Sequence, residues 1–238
     1  SKEQLKGVII INQYIDKELL YKNVQEIRKC LSITFNDYPL NIFDICKRIK
    51  DVEIGVVPFK NQNLKGMVTI AQDENDNHVI IVNGNKTKEE QNYHGCHELL
   101  HIWFRSVEPG MSLNCFEKCK PHQNTFIEWL ANEGAAELLV PFKMFLPLIK
   151  ENKEEMLKGC GTYEFCEKYA EKFNVTSIVL KNRLNALKYE IYQYIEQEVD
   201  LDNIKFLSKT KQENLGINIK SFNDLENERF LSLINVAI

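Results

Sequence analysis

The sequence predicts an α+β fold: a small N-terminal sheet, a helix carrying an H-E-x-x-H pattern, and a mostly helical C-terminal body. Three observations predict it. Short strand-like apolar runs bounded by turns fall between residues 52 and 82, a capping-box signature opens a long uninterrupted segment at Thr87, and helical spacing dominates after Thr125.

The elements follow in order. Leu19, Leu20, Val24, Ile27 and Leu31 recur at helical spacing within 16–31, and a short helix is expected after Pro39 with Asn41 as its cap. Val52–Val57, Met67–Ile70 and His78–Val82 read as strands, with Asp73–Asn77 as the hairpin loop between the last two. Thr87 followed by Glu90 starts a helix that runs to about Phe104. A linker with Pro109, Gly110 and Pro121 leads to a helix over about 125–140, stopped by Pro141. Helices are expected at 142–149, 163–173 and 176–199. Residues 200–238 are mixed and read as a peripheral helix or tail, so the domain reading is 1–200, with a core of about 41–187, plus an extension over 201–238.

At 238 residues the chain is long enough to bury its own core. A hydrophobic share of 44% with 27% charged residues argues against wholesale disorder, and a net charge of -4 gives no broad basic surface for phosphate backbones. Direct nucleic-acid binding is therefore not expected. The apolar stretch Gly7–Ile11 is too short for a membrane span, and seven cysteines without a regular framework read as reduced thiols. Both point to a cytoplasmic protein. The chain opens on Ser1 rather than Met, which leaves room for an upstream segment.

His97-Glu98-Leu99-Leu100-His101 is the pattern that carries chemistry. Residues four apart stack on one helix face, so both imidazoles can reach one ion at roughly 2.0–2.1 Å from each ring nitrogen. Glu98 is awkwardly placed to complete that tetrahedron but well placed as general base toward a zinc-activated water. Glu98 is thus the expected catalytic residue and His97 and His101 the expected metal ligands. A third ligand should come from the next long helix, which offers Glu128, Glu133 and Glu137. Glu128 is preferred because Ala131, Asn132 and Ala135 share its face and allow close approach. Two alternatives stay open: Thr125 and Glu128 form a capping-box pattern of their own, and Glu133 competes as ligand.

With the later stretch Glu128-Trp129-Leu130-Ala131-Asn132-Glu133-Gly134-Ala135-Ala136-Glu137-Leu138-Leu139-Val140-Pro141, this motif resembles the ImmA/IrrE family of metallopeptidases. The helical element through Tyr169–Leu184 agrees with it. The resemblance implies a zincin-like fold, zinc held by two His and the Glu at position 128, and hydrolysis of a regulatory protein such as a helix-turn-helix repressor. Leu100, Cys96 and Leu130 depart from residues common in relatives, and Leu130 removes a carboxylate. A non-catalytic, zinc-containing interaction or sensing protein is the alternative.

Other constellations carry less. His94 reads as a surface or structural group, with Tyr93 a minor candidate for oxyanion stabilisation. Cys115, Cys119 and His122 have plausible spacing for a second metal but supply only three ligands. Cys96 reads as a small buried hydrophobe. The two helices around Asn174-Val175 look like a helix-turn-helix, yet Leu180, Leu184 and Leu187 suit packing better than groove binding.

Overall fold

The described residues of the computed structural model are 15–106, 108–116, 123–158, 161–222, 224–225 and 228. Gly7–Ile11, Cys119 and His122 lie outside them, so the expectations placed there stand untested. The class is α+β, as expected. Two units divide the chain, one comprising 1–15, 19–139 and 172–175, the other 16–18, 140–171 and 176–238.

The first unit contains the sheet. Strands β1 (Val52–Val57), β2 (Leu64–Thr69), β3 (His78–Asn83) and β4 (Ser112–Phe116) lie in the order β1-β3-β2-β4. β2 and β3 form the expected antiparallel hairpin, and β1 joins β3 in parallel. Strand β4 was not expected. It falls in what the sequence reads as a linker, because a five-residue edge strand with Ser112 and Asn114 interspersed lacks a sustained apolar run. It pairs antiparallel with β2 through an irregularity between Leu64 and Gly66.

Helix α1 (Lys17–Cys30) contributes Leu20, Val24 and Ile27 to this unit's core. Helix α2 (Ile42–Lys47) starts at Asn41, whose side chain accepts from the Phe43 amide, as expected. The motif helix α3 (Lys88–Trp103) is started by Thr87 and Glu90, which bond each other's backbone reciprocally. From His94 to Trp103 every residue of α3 is buried, which explains why the segment shows no polar stripe.

Helix α4 (Thr125–Leu139) packs on α3 through its small residues. A Cβ at Gly134 would meet Leu100 Cδ1 at 3.0 Å, while Ala131 and Ala135 are buried on the same helix. The alternative in which Thr125 and Glu128 form a capping box does not hold. Asn124 is the cap, its Oδ1 accepting from the amides of Phe126 and Ile127 at 3.0 and 3.3 Å. Asn124 outcompetes Thr125 because it stands one residue earlier and reaches two free amides, leaving the Glu128 carboxylate available.

The second unit is helical. α5 (Phe142–Met156) runs further than the expected 142–149, because Phe145, Leu148, Ile149 and Met156 keep one apolar stripe through the charged stretch. α6 (Gly161–Ala170) ends in a 3-10 turn at Glu171–Phe173. The single helix expected over 176–199 is two, α7 (Ser177–Ala186) and α8 (Lys188–Ile195), parted at Leu187. In this unit Arg183 is buried and its Nε donates to the Val140 carbonyl at 3.1 Å, so this arginine is committed to packing rather than to phosphates. A short helix α9 (Lys209–Asn214) follows. No helix among the described residues is long and apolar enough to cross a membrane.

Candidate metal centre

The two motif histidines lie on one face of α3, as the four-residue spacing requires. Each is 1% exposed, their rings meet edge to face with centroids 4.7 Å apart, and their Nε2 atoms approach to 3.0 Å. The opposite nitrogens are anchored. His97 Nδ1 lies 3.1 Å from Asn132 Oδ1, which can only accept, so Nδ1 carries the hydrogen and the Nε2 lone pair points inward. His101 Nδ1 lies 3.1 Å from Ser106 Oγ.

Ser106 gets there through the way α3 ends. Arg105 takes a positive φ of 45°, the Arg105 amide bonds the Ile102 carbonyl and the Ser106 amide bonds the His101 carbonyl. This is a Schellman closure, which folds the chain back over the last turn and sets the serine hydroxyl beside the imidazole. Sequence reading missed both Asn132 and Ser106 as anchors. Asn132 was discoverable, four residues after Glu128 on the same face of α4; Ser106 carries no local signal.

Glu128 Oε2 is 3.4 Å from His97 Nε2 and Glu128 Oε1 is 3.8 Å from His101 Nε2. The ligand atoms of His97, His101 and Glu128 lie within 4.8 Å of one another and can hold one metal ion. Helix periodicity separates the alternatives, since positions 133 and 137 point well away from position 128 around α4. Glu133 instead accepts a hydrogen bond from the Tyr21 hydroxyl of α1. Glu137 pairs with Arg28 of α1 at 3.1 Å, in a cluster where Tyr38 also bonds Arg28 and the Leu138 carbonyl.

Glu98 is 0% exposed, and among the described residues neither carboxylate oxygen has a hydrogen-bond partner. Burial, and secondarily the Glu128 charge, hold its carboxyl well above the usual range. Burial, then the neighbouring His97, keeps the His101 imidazole neutral by lowering its pKa well below the usual value. Glu98 fits only because β2 has glycine opposite it. A Cβ at Gly66 would lie 2.9 Å from Glu98 Oε1 and 3.4 Å from its Cγ.

Cys115, on β4, lies near this centre. Its sulfur and the ligand atoms of His97 and Glu98 lie within 4.8 Å of one another, and burial pushes the thiol pKa well up. Cys96 is a buried thiol within α3, as expected. Among the described residues, Cys30, Cys46, Cys96 and Cys115 are free thiols. His94 corrects the surface reading: it is buried, its Nδ1 has no partner among the described residues, and burial, with Lys65, His97 and Lys86, lowers its pKa. The Tyr93 hydroxyl donates to the Asn132 carbonyl at 3.2 Å.

A cleft of about 260 Å³ opens beside the centre, lined by Ser106, Ser112, Asn114, Gln123, Ile127 and Glu128 among others. It runs along β4, which is the last strand in the sheet order, and ends at Glu128.

The residues present suit a divalent metal. Two buried imidazole nitrogens and one carboxylate converge, and both imidazoles are held from behind by oxygen-bearing side chains, the arrangement that orients metal ligands. No curated protein sequence matches the chain. A family model described as the IrrE N-terminal-like domain, of the ImmA/IrrE peptidases, matches residues 49–185, the span that contains the sheet, α3, α4 and the helices through α7. The chain belongs to the IrrE N-terminal-like peptidase family.

Proposed function

We propose that the protein is a zinc-dependent endopeptidase in which His97, His101 and Glu128 hold the metal and Glu98 is the general base. The observation that carries this reading is the convergence of these three ligand groups beside a buried carboxylate that has no hydrogen-bond partner among the described residues. Two nitrogens and one oxygen from the protein form a typical catalytic zinc set, which keeps a position open for substrate or water.

Zinc supplies Lewis acidity when bound, polarising a carbonyl and lowering the pKa of water. The chain's own residues do the rest. Glu98 accepts a proton from the attacking water and returns it to the departing amine, so it starts and ends the cycle in the same state. Its burial in an apolar wall raises its proton affinity in the metal-free site, and a cation held by His97, His101 and Glu128 would favour the ionised form that accepts the proton. Asn132 and Ser106 hold the imidazole rings in register throughout. The substrate lies extended along β4, adding its backbone to the exposed edge of the sheet.

The peptidase domain is taken as residues 1–200, with 201–238 as an extension, and the family match supports the core of that assignment. The substrate class proposed is an extended segment of a regulatory protein such as a helix-turn-helix repressor, in keeping with the ImmA/IrrE family, and the compartment proposed is the cytoplasm.

Metal content and affinity of the wild type beside His97→Ala, His101→Ala, Glu128→Ala, Glu133→Ala and Glu98→Gln test the reading. Zinc should be stoichiometric in the wild type, lost or weakened at least ~10-fold without either His or Glu128, and retained in Glu133→Ala. Glu98→Gln should keep the metal and lose hydrolysis. A wild type that takes up no zinc after resupply overturns the proposal, and so does hydrolysis that survives in Glu98→Gln.

A further inference from the structure

Glu128 is reached by one more side chain, which none of the motifs contains. Gln123 is half-buried at the mouth of the cleft, one residue before the cap of α4. Its Nε2 donates to the Asn114 carbonyl of β4 at 2.9 Å and to Glu128 Oε1 at 3.2 Å. Both partners are acceptors only, so the carboxamide has one orientation that serves them, with the NH2 group toward both.

We propose that Gln123 is a positioning residue for the metal site: its two amide hydrogens tie the Glu128 carboxylate to the outer strand of the sheet and fix how its two oxygens are presented to His97 and His101. This rests on the reading of His97, His101 and Glu128 as zinc ligands. Three features support it. Glu128 stands in the first turn of α4, where no preceding helical turn constrains its side chain, so its direction depends on what holds it. With Oε1 engaged by Gln123, Oε2 is the oxygen nearer His97 Nε2, at 3.4 Å. Finally, the Asn124 side chain caps two amides of α4, which pins the backbone next to Gln123 and pre-sets its reach.

The arrangement parallels the other two ligand groups. Asn132 stands behind His97, Ser106 behind His101 and Gln123 behind Glu128, so each has a partner drawn from a different segment of the first unit. Asn114 also lies on the strand to which the proposed substrate adds. One carboxamide therefore links the substrate-binding edge to the metal-facing carboxylate.

The test uses zinc alone on the full chain, measured by competition with a chromophoric chelator. Gln123→Met keeps the side-chain length without donors, and Gln123→Glu keeps the shape but replaces the donor by an acceptor. Both should bind zinc about 10-fold more weakly than the wild type, the usual effect of losing such an outer partner. The thermal midpoint of the zinc-free protein should not change. The visible spectrum of the Co2+-substituted protein should shift in both variants, a change that a merely structural role would not produce. Wild-type affinity together with superimposable cobalt spectra in both variants overturns the role of Gln123 and, where Glu128→Ala has lost zinc, leaves the ligand set standing. Absence of zinc binding by the wild type itself removes the metal-site reading and this inference with it.

Discussion

At the scale of single residues, the centre is defined by groups that are costly where they stand. Glu98 is fully buried with no donor among the described residues, and a buried polar group left without a partner costs about 1–3 kcal/mol. Its raised pKa sets the sign of a stability effect in the metal-free protein. The folded chain keeps the proton on Glu98, whereas the unfolded chain releases it above its ordinary value of about 4.5. Folding therefore takes up a proton at neutral pH, and the stability this group allows, fully present below pH 4.5, falls as pH rises toward the folded pKa. Glu98→Gln removes that dependence. With zinc chelated, the variant should melt above the wild type at pH values above the ordinary carboxyl range, each kcal/mol appearing as roughly 2–4 °C, and the gap should close near pH 4. Thermal melts across that range check it; a gap independent of pH would mean that the carboxyl ionises normally in the fold.

At the scale of elements, the geometry rests on how closely α4 approaches α3. Small residues at 131, 134 and 135 permit it, and Leu100 fills the space against Gly134 at what would be a 3.0 Å contact with any Cβ. At the far end of α4, Arg28 and Tyr38 bond the Glu137 and Leu138 carbonyls and so satisfy orphan groups of the last turn. Glu128 is therefore carried on a helix held at both ends, by Asn124 at the start and by this cluster at the finish. Gly134→Val should force the helices apart, costing about 1–3 kcal/mol by overpacking. Because the separation moves Glu128 relative to the histidines, zinc affinity should drop at least ~10-fold while far-ultraviolet circular dichroism stays near that of the wild type. Unchanged zinc affinity in a folded Gly134→Val protein would show that the helix spacing does not set the site.

At the scale of the whole molecule, all the residues assigned to the centre belong to the first of the two units. A zinc ion held as proposed would bind the folded state only, and would stabilise it by RT ln(1 + [Zn]/Kd), about 2.7 kcal/mol at a hundredfold excess over Kd. Hydrogen exchange with and without chelator should place that gain. Amides of α3 and α4 should lose protection when zinc is removed, while those of α5 and α8 change little. Equal loss in both units would contradict a centre confined to the first. The second unit carries its own packing, with Leu180, Leu184 and Leu187 buried and Gln193 bonding both the amide and the carbonyl of Lys205.

Much of this was legible in the sequence because it is carried by local rules. The four-residue spacing of His97 and His101, the capping box at Thr87, the β2–β3 hairpin and the small-residue face of α4 each follow from periodicity or turn chemistry within one segment. So did the preference for Glu128, which helix geometry favours over Glu133. What the sequence could not decide depends on segments far apart in the chain. Tyr21 and Arg28 engage Glu133 and Glu137, and Gly66 makes room for Glu98 across the sheet. β4 becomes a strand only because β2 offers it an edge, and Asn132 becomes an anchor only because α4 meets α3, while Ser106 and Gln123 reach their partners through the turns at the end of α3 and the start of α4. The sequence by itself determined which side chains can hold a metal and take a proton. The tertiary structure decided which of them face one another and which, like Glu133 and Glu137, are engaged elsewhere, because hydrogen bonds and close packing between distant segments settle that competition only once the chain has folded.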